Sequence, residues 1–297
     1  MNNNIFISII INCYNGEKFL DEALSSVLNQ SYLNWELIFW DNQSTDKSAE
    51  IVKTYNNPKI RYFLASEHTS LGEARFLALE KTKGDWIAFL DCDDFWDKEK
   101  LQYQVNAINA YKGEVGLVYS NCQYFKDLIR KNRVHRLTRI VPGKKKLPQG
   151  KVSRYLFSGN FIPLPSILYK KSAVLKAGNI SEFKFCPDYF LNLSISLKYN
   201  VIAINKTLSF YRLHNSNLSI GRKEIAILEA IYIIKILVND KKLQPLLRAF
   251  QVRYLFYLLE NFEFMKMVNL LKEINLPNIF LGILDIINYR IKFNTKI

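Results

Sequence analysis

Short apolar runs that each end in a polar loop are the clearest pattern in the first hundred residues. Four runs predict strands: Phe6 to Ile11, which is continuous enough to be buried on both faces, and then Trp35 to Trp40, Ile60 to Leu64 and Trp86 to Leu90. Between them, apolar residues at helical spacing predict helices from Glu17 to Leu28, Lys47 to Tyr55 and Glu73 to Thr82. Strands and helices that alternate in this way predict right-handed βαβ units, and therefore an α/β fold with a mostly parallel sheet flanked by helices.

The rest of the chain is less regular and divides near residue 220. Strands are predicted at Val115 to Ser120, Ser166 to Tyr169 and Val201 to Ile204, and a helix at Phe190 to Lys198. Beyond Gly221 the pattern predicts helices at Ile225 to Val238, Leu243 to Leu259 and Met265 to Ile274, then an apolar, finally basic segment from Ile279 to Ile297. We therefore expect a sheet domain over residues 1–220 and a helical extension over residues 221–297. The extension either packs on the sheet domain or lies as an amphipathic segment at a membrane surface.

Charge is divided unequally along the chain, whose formal net charge is +14. Residues 1–100 carry 10 Lys/Arg against 16 Asp/Glu, whereas residues 101–297 carry 31 against 11. Eleven of those basic residues lie between Lys126 and Arg154, where Asp127 is the single acid. This run is either a patch that attracts phosphate groups, such as those of an anionic membrane surface, or a solvated loop. Because no nucleic-acid motif accompanies it, we expect no nucleic-acid partner.

Cysteine spacing and hydropathy exclude several classes of protein. The four cysteines are far apart and form no Cys-x-x-Cys pair, so neither a zinc site nor a disulfide framework is indicated. The first residues lack the pattern of a signal peptide, and no run of about 20 apolar residues occurs. We therefore expect a cytoplasmic protein, at most peripheral at the inner face of the cytoplasmic membrane.

Three acids follow the predicted strand that begins at Trp86. Asp91 and Asp93 are two residues apart, so on an extended segment they face the same way, at the strand end where α/β sheets bind ligands. Close carboxylates repel each other unless a cation or a proton lies between them, and Mg²⁺ or Mn²⁺ prefers oxygen ligands. The pattern indicates a divalent metal site that also holds a diphosphate. The alternative is an acidic turn that caps a helix starting near Asp97.

Five motifs in sequence closely resemble the family-2 glycosyltransferases, which are inverting enzymes of the GT-A fold. They are Ser8 to Gly16, Leu28 to Tyr32, Asp41 to Asp46, Gly72 to Arg75 and Gly84 to Asp94. The resemblance is continuous over about residues 5–100 and weaker to about residue 220. It implies that residues 1–100 bind the nucleotide and residues 101–220 the acceptor.

The resemblance also implies roles for single residues in the first two loops. Asn12, Tyr14 and Asn15 match positions beside the nucleotide, where an aromatic ring covers the base and a polar side chain bonds it. Asp41 and Asn42 match an Asp-Asp pair of which one member recognises uracil, although the second Asp is Asn here. Asn12 and Tyr14 could equally be ordinary turn residues.

Further matching positions lie near the expected diphosphate. Arg75 matches a position beside the diphosphate, although Phe76 stands where Asn is usual, and the alternative is a surface arginine of a helix. The resemblance implies that Asp91 contacts the ribose or the metal and that Asp93 is a direct metal ligand, with Asp94 behind them. Arg212 and His214 match a segment whose cationic groups reach the diphosphate.

The catalytic base is expected on a later segment. Inverting transfer needs a carboxylate to take the proton of the acceptor hydroxyl. In the family this is the Asp of a Glu-Asp pair about 90 to 100 residues after the Asp-x-Asp, and Asp188 matches it with Pro187 where Glu is usual. The alternative for Asp188 is to cap the helix that follows.

The sequence therefore predicts a metal-dependent inverting glycosyltransferase. Its expected cofactor is Mn²⁺ or Mg²⁺, its donor a nucleotide sugar, most simply a UDP-sugar, and its acceptor a glycan that is lipid-linked, as with polyprenyl diphosphate, in bacterial surface polysaccharide synthesis. The alternative is a catalytically degenerate relative that uses its basic residues and terminal helices to dock on a membrane or a partner.

Overall fold

The computed structural model describes residues 4–130, 133–143, 146–157, 159–218, 222–237 and 244–260, with positions 263, 266, 267, 270, 271 and 281. The strands are β1 (Ile7–Cys13), β2 (Trp35–Asp41), β3 (Ile60–Leu64), β4 (Trp86–Asp91), β5 (Phe95–Trp96), β6 (Val115–Arg130), β7 (Arg133–Val141), β8 (Leu168–Lys170) and β9 (Asn200–Arg212). The helices are α1 (Leu20–Leu28), α2 (Ser48–Thr54), α3 (Leu71–Glu80), α4 (Lys100–Ala110), α5 (Ser153–Leu156), α6 (Lys171–Ala177), α7 (Pro187–Lys198), α8 (Lys223–Leu237) and α9 (Gln244–Glu260).

The strands of the described residues form one mixed sheet. Its order is β3-β2-β1-β4-β8-β6-β9-β5, and β7 pairs with β6. The neighbours β3, β2, β1 and β4 are parallel, as are β6 and β9, whereas β5, β7 and β8 run antiparallel to their partners. The predicted α/β fold is confirmed, and its parallel character belongs mainly to the first hundred residues.

The central strand β1 shows why this half folds as predicted. Ile7, Ile9, Ile10 and Ile11 are completely buried, as the middle of a parallel sheet covered on both faces requires. In the parallel register, Asn12 of β1 lies opposite both Trp40 of β2 and Asp91 of β4. The loops that follow these three strands therefore begin at one edge of the sheet.

The second half departs from the prediction mainly in the length of its strands. The predicted strand from Val115 continues to Arg130 because β7 pairs with it, so the basic run after Lys126 is largely a hairpin rather than a loop. β9 continues to Arg212, because it pairs with β6 along most of its length and with β5 near its end. The predicted mostly parallel arrangement does not extend to this half.

The chain divides into two compact units. The first comprises residues 1–152 and 161–217, and the second comprises residues 153–160 and 218–297. The expected boundary after residue 220 lies three residues beyond the end of the first unit. In the second unit α8 and α9 pack together, and the predicted elements at 265–274 and 279–297 lie largely outside the described residues. No helix in the described part of the chain has the length and apolar character needed to cross a membrane.

Candidate functional site

The loops after β1 and β2 are joined by hydrogen bonds. The backbone N–H of Asn42 donates to the carbonyl of Cys13 at 2.8 Å. Asn15 adopts a left-handed backbone with a φ of 53°, which asparagine tolerates better than most residues, and its Oδ1 accepts from the Thr45 N–H at 2.8 Å. Asn15 therefore fixes the shape of the loop, and its expected contact with the nucleotide stays a prediction.

An aromatic pair stands beside these loops. The Tyr14 side chain is 51% exposed, and its ring centroid lies 4.2 Å from that of His68. The His68 Nδ1 lies 2.9 Å from the carbonyl oxygen of Asn42. Because a carbonyl only accepts, Nδ1 carries the hydrogen, and the imidazole is held against Tyr14. The sequence does not indicate His68, since it lies in a loop without periodicity.

Asn42 uses its whole side-chain amide to hold the loop that carries His68. Its Nδ2 donates to the carbonyl of Thr69 at 2.9 Å, and its Oδ1 accepts from the Thr69 N–H at 3.2 Å and from the Thr69 hydroxyl at 3.1 Å. An aspartate at this position would face the Thr69 carbonyl without a hydrogen to donate. The departure from the family's Asp-Asp pair thus has a structural reason.

Asn12 and Asp41 differ in what their side chains still offer. Asp41 is 1% exposed, and its two oxygens accept from the Tyr62 hydroxyl at 2.7 Å and from the Ser44 N–H at 2.8 Å. Burial, and after it the hydrogen bond to Asp41, raises the pKa of Tyr62 well above its usual range. The Nδ2 of Asn12 is buried with no hydrogen-bond partner among the described residues. Such a donor is open to a ligand that enters the site.

Arg75 is buried and paired with the first of the three acids. Its Nη2 lies 2.6 Å from Oδ1 of Asp91, and its side chain is only 5% exposed. Gly72, one turn earlier on α3, packs so closely on the backbone carbonyls of Ile180 and Phe183 that a side chain there would collide with them. The segment that precedes α7 therefore holds α3 in place. The Nε of Arg75 has no partner among the described residues and is a second open donor.

Asp93 is held from the segment that follows β9. Its Oδ2 lies 2.8 Å from Nε2 of His214 and 3.2 Å from Nδ2 of Asn217. Burial, and after it the charge of Asp91, raises the pKa of Asp93, and the hydrogen bond from His214 opposes that shift. His214 is thus brought to the acids, and its expected contact with a diphosphate stays a prediction. No sequence motif points to Asn217.

Asp94 and Arg212 meet behind these groups. Oδ1 of Asp94 accepts from the backbone N–H of Arg212 at 2.9 Å. The Arg212 guanidinium pairs with Glu22 of α1, donates to the Asp93 carbonyl at 3.1 Å, and lies 4.5 Å from the centre of the Phe19 ring. Being 7% exposed, Arg212 braces the acidic loop against α1, and its expected contact with a diphosphate stays a prediction.

Asp188 lies in the first turn of α7, inside the helix. The N-cap residue is Cys186 and no side chain caps the helix, so the alternative that Asp188 caps it is wrong. Burial raises the pKa of Tyr169 well above its usual range, the Asp188 charge adds to the shift, and Arg75 opposes it. The structure therefore brings Asp188 and Arg75 into the same electrostatic neighbourhood, around the buried Tyr169.

The described residues contain no group of three or more His, Cys, Asp or Glu side chains placed to hold a metal ion. Asp93 and His214 nonetheless place a carboxylate oxygen and an imidazole nitrogen 2.8 Å apart. Nε2 of His214 can ligate a metal in the neutral tautomer that carries its hydrogen on Nδ1, which lies 2.8 Å from the Ser216 hydroxyl. Mn²⁺ accepts both ligand types, and Mg²⁺ is commonly held by one or two carboxylates together with substrate phosphates. These residues fit a divalent ion whose remaining ligands come from a diphosphate.

Comparison with known proteins gives a family match over the first part of the chain. The sequence model of Glycosyl transferase family 2 matches residues 8–168. The UDP-Glc:alpha-D-GlcNAc-diphosphoundecaprenol beta-1,3-glucosyltransferase WfgD of Escherichia coli is 31% identical over 217 residues, which cover 72% of this chain and 79% of that protein.

Two solved structures share the fold. TarS 1-349 of S. aureus, in complex with UDP-GlcNAc, has a TM-score of 0.63 at 19% identity, covering 96% of this chain and 81% of that one. The mannosyltransferase PcManGT from Pyrobaculum calidifontis, in complex with GDP-Man and Mn²⁺, has a TM-score of 0.60 at 14% identity, covering 98% and 88%. The fold predicted from the family resemblance, GT-A, is confirmed.

Proposed function

Because the chain belongs to Glycosyl transferase family 2, and is therefore a glycosyltransferase, we propose that it transfers one sugar from a UDP-sugar to an acceptor hydroxyl with inversion at the anomeric carbon. The name of WfgD gives UDP-Glc as its donor, and TarS was solved with UDP-GlcNAc. The first unit of this chain carries all the residues to which we assign roles in transfer.

The donor's nucleotide lies at the loops after β1 and β2. The exposed ring of Tyr14, backed by His68, covers the base, since aromatic rings stack on bases with little cost in ordering. The unpartnered Nδ2 of Asn12 donates to the nucleotide, which satisfies a buried group that otherwise lacks a partner. Asp41 and Asn42 hold the walls of this pocket through contacts to Tyr62 and Thr69.

The diphosphate lies at the acidic loop after β4. Asp93 and His214 would hold a divalent cation there, and Arg75 orients Asp91 toward the same edge of the sheet. A bound Mn²⁺ or Mg²⁺ supplies positive charge against the negative charge that grows on the leaving diphosphate. The unpartnered Nε of Arg75 is a further donor for that group.

Asp188 is the proposed general base. Its carboxylate takes the proton of the acceptor hydroxyl as the hydroxyl oxygen attacks the anomeric carbon, opposite the departing nucleoside diphosphate. It lies in the first turn of α7, where the helix dipole stabilises negative charge. The pKa shift of Tyr169, to which both Asp188 and Arg75 contribute, supports a base located near the diphosphate end of the site.

The observation that carries the proposal is the pairing of Asp91 with Arg75 and of Asp93 with His214 at the carboxyl edge of the parallel strands. We would titrate the purified chain calorimetrically with UDP, GDP and dTDP, each with and without Mn²⁺. Metal-dependent binding of UDP is expected, and it should be lost in Asp93→Ala while UDP binding survives in Asp188→Ala. Binding of none of the nucleotides would refute the proposal and favour the degenerate binding module.

A transfer assay separates the role of Asp188 as general base from that of Asp93 as metal ligand. With a UDP-sugar and an acceptor, Asp188→Ala should lose transfer and Asp188→Asn should lose it equally, because the amide cannot take a proton. Full activity in either variant would remove Asp188 from the mechanism. The thermal midpoint of each variant, followed by tryptophan fluorescence, shows whether the sheet unit stays folded.

The acceptor proposed is a glycan linked to polyprenyl diphosphate, as in bacterial surface polysaccharide synthesis, at the inner face of the cytoplasmic membrane. The name of WfgD gives such a diphospholipid acceptor. On α8, four apolar side chains at helical spacing are 41–47% exposed: Ile225, Leu228, Tyr232 and Ile236. Together with the excess of basic residues after residue 100, this face favours an anionic membrane surface as partner.

Vesicle flotation tests the membrane proposal. Wild-type protein should float with vesicles that contain anionic lipid and much less with neutral vesicles. Tyr232→Glu should abolish flotation, whereas Leu33→Glu, at an exposed leucine of the first unit, should leave it unchanged. Equal flotation with both lipids, or none, would refute an electrostatic membrane contact without touching the assignment of the transfer site.

A further inference from the structure

Asn217 joins three parts of the acidic site through one side chain. Its Nδ2 donates to Oδ2 of Asp93 at 3.2 Å and to the carbonyl of Arg212 at 3.0 Å. Its Oδ1 accepts from the backbone N–H of His214 at 2.6 Å, and the side chain is buried, with the residue 8% exposed. The amide thus uses both of its hydrogens and its oxygen within the site.

Closing the turn after β9 accounts for only part of this arrangement. The backbone N–H of Asn217 already bonds the His214 carbonyl at 3.1 Å, which closes the turn by itself. The side-chain hydrogen that Asn217 donates to Asp93 instead reaches a loop 124 residues away in the chain. The same Oδ2 receives the His214 imidazole, so Asn217 fixes the distance and the direction between two groups that face a cation.

We infer that Asn217 is a positioning residue that holds the Asp93 carboxylate and the His214 imidazole in the arrangement that binds the metal–diphosphate group. This inference rests on the proposed function. A neutral amide suits the role because it donates to the carboxylate without adding charge and without competing as an anionic ligand. Residues that orient metal ligands in this way typically change metal affinity by 10-fold to 100-fold when they are removed.

Asn215, an exposed residue of the same turn, offers a matched control. Ser216 does not serve as one, because its hydroxyl lies 2.8 Å from Nδ1 of His214 and so touches a group that faces the cation. Asn215→Ala shortens an amide side chain of this turn while Asp93 and His214 keep their partners. Asn217→Ser is a second test variant, because the shorter hydroxyl can still accept near the turn but cannot reach Asp93.

The test is a calorimetric titration of Mn²⁺ into each protein saturated with UDP, beside a titration of UDP in the presence of a chelator. We expect Asn217→Ala and Asn217→Ser to weaken Mn²⁺ binding about 10-fold or more, with Asn215→Ala near wild type. Metal-free UDP affinity and the thermal midpoint by tryptophan fluorescence should stay near wild type, which a merely structural role would not predict.

The outcomes separate the inference from the function on which it rests. Wild-type Mn²⁺ affinity in both Asn217 variants would overturn the inference while leaving the proposed function intact. If Asn217→Ala does not fold, Asn217→Ser alone decides between these results. If wild-type protein binds UDP but no Mn²⁺, the metal-dependent function and the inference both fail. Equal weakening in Asn215→Ala and Asn217→Ala would assign the effect to the turn as a whole and would also overturn the inference.

Discussion

Lys100, the first residue of α4, is a completely buried lysine, and its removal should change how the free energy of unfolding depends on pH. Its Nζ donates to Oε1 of Gln104 at 3.0 Å and lies 4.0 Å from the centre of the Trp96 ring. Burial lowers the pKa of Lys100 well below its usual range, and Cys122 acts weakly in the opposite direction. In the unfolded chain the same lysine titrates at a pKa of about 10.4.

The sign of the effect follows from proton binding. Between the lowered pKa of the folded state and about 10.4, the unfolded chain binds one proton more than the folded one, so the free energy of unfolding rises with pH. One proton corresponds to about 1.4 kcal/mol per pH unit. Lys100→Met removes this contribution, and it also leaves the Gln104 oxygen without its donor at a cost of about 1 to 3 kcal/mol that does not depend on pH. The slope is therefore a sharper test than the stability at any one pH.

Urea unfolding followed by tryptophan fluorescence measures the effect, because all four tryptophans (Trp35, Trp40, Trp86 and Trp96) lie in the first unit. Between about pH 7 and pH 9.5, wild-type protein should gain up to about 1.4 kcal/mol per pH unit relative to Lys100→Met. Lys98→Met, at an exposed lysine two residues before α4, controls for loss of a solvated charge. Parallel curves for wild type and Lys100→Met would refute the reasoning.

Three further predictions concern the nucleotide site. Gly16→Ala places a Cβ 2.7 Å from Sγ of Cys92, so we expect the free energy of unfolding to fall by about 1 to 3 kcal/mol, with Cys92→Ala in that background recovering part of the loss. Arg75→Met leaves Asp91 without its partner and should lower the rate of transfer about 100-fold in a radiolabelled-sugar assay. Arg75→Lys should give a rate between those of Arg75→Met and the wild type. Tyr14→Ala should weaken UDP binding about 10-fold as measured by calorimetry, whereas Tyr14→Phe should bind UDP nearly as well as the wild type.

The sequence was most informative where structure is local. The helical and strand periods of the first hundred residues set the βαβ order, and parallel pairing then places Asn12 beside Asp91 with no further information. The partners of the acids could be anticipated only through family resemblance. Asp93 meets His214, which lies 121 residues later, because β9 runs its full length along β6 before it turns back.

Loop residues were the least predictable part of the site. His68 lies in a loop with no periodicity, and its role becomes visible only when its ring meets Tyr14 and its Nδ1 meets the Asn42 carbonyl. For Asn42, the sequence showed the departure from the family's Asp-Asp pair but not the structural reason for it. The double contact with the Thr69 backbone, which an aspartate cannot make, supplies that reason.

The three acids after β4 differ in their partners, and this difference explains how the chain keeps them together. Asp91 has the guanidinium of Arg75, and Asp93 has the imidazole of His214. Asp94 is 1% exposed and accepts only one backbone hydrogen bond, while its Oδ2 has no partner among the described residues.

Burial, and after it the charges of Asp93 and Asp91, raises the pKa of Asp94 well above its usual range. Burial keeps Asp94 away from the exposed edge of the loop, where Asp91 and Asp93 each have a cationic or donor partner. Asp94 can therefore anchor Arg212 without competing for a cation. The exposed edge of the loop is left to Asp91 and Asp93, which are the two carboxylates that a divalent ion and a diphosphate would reach.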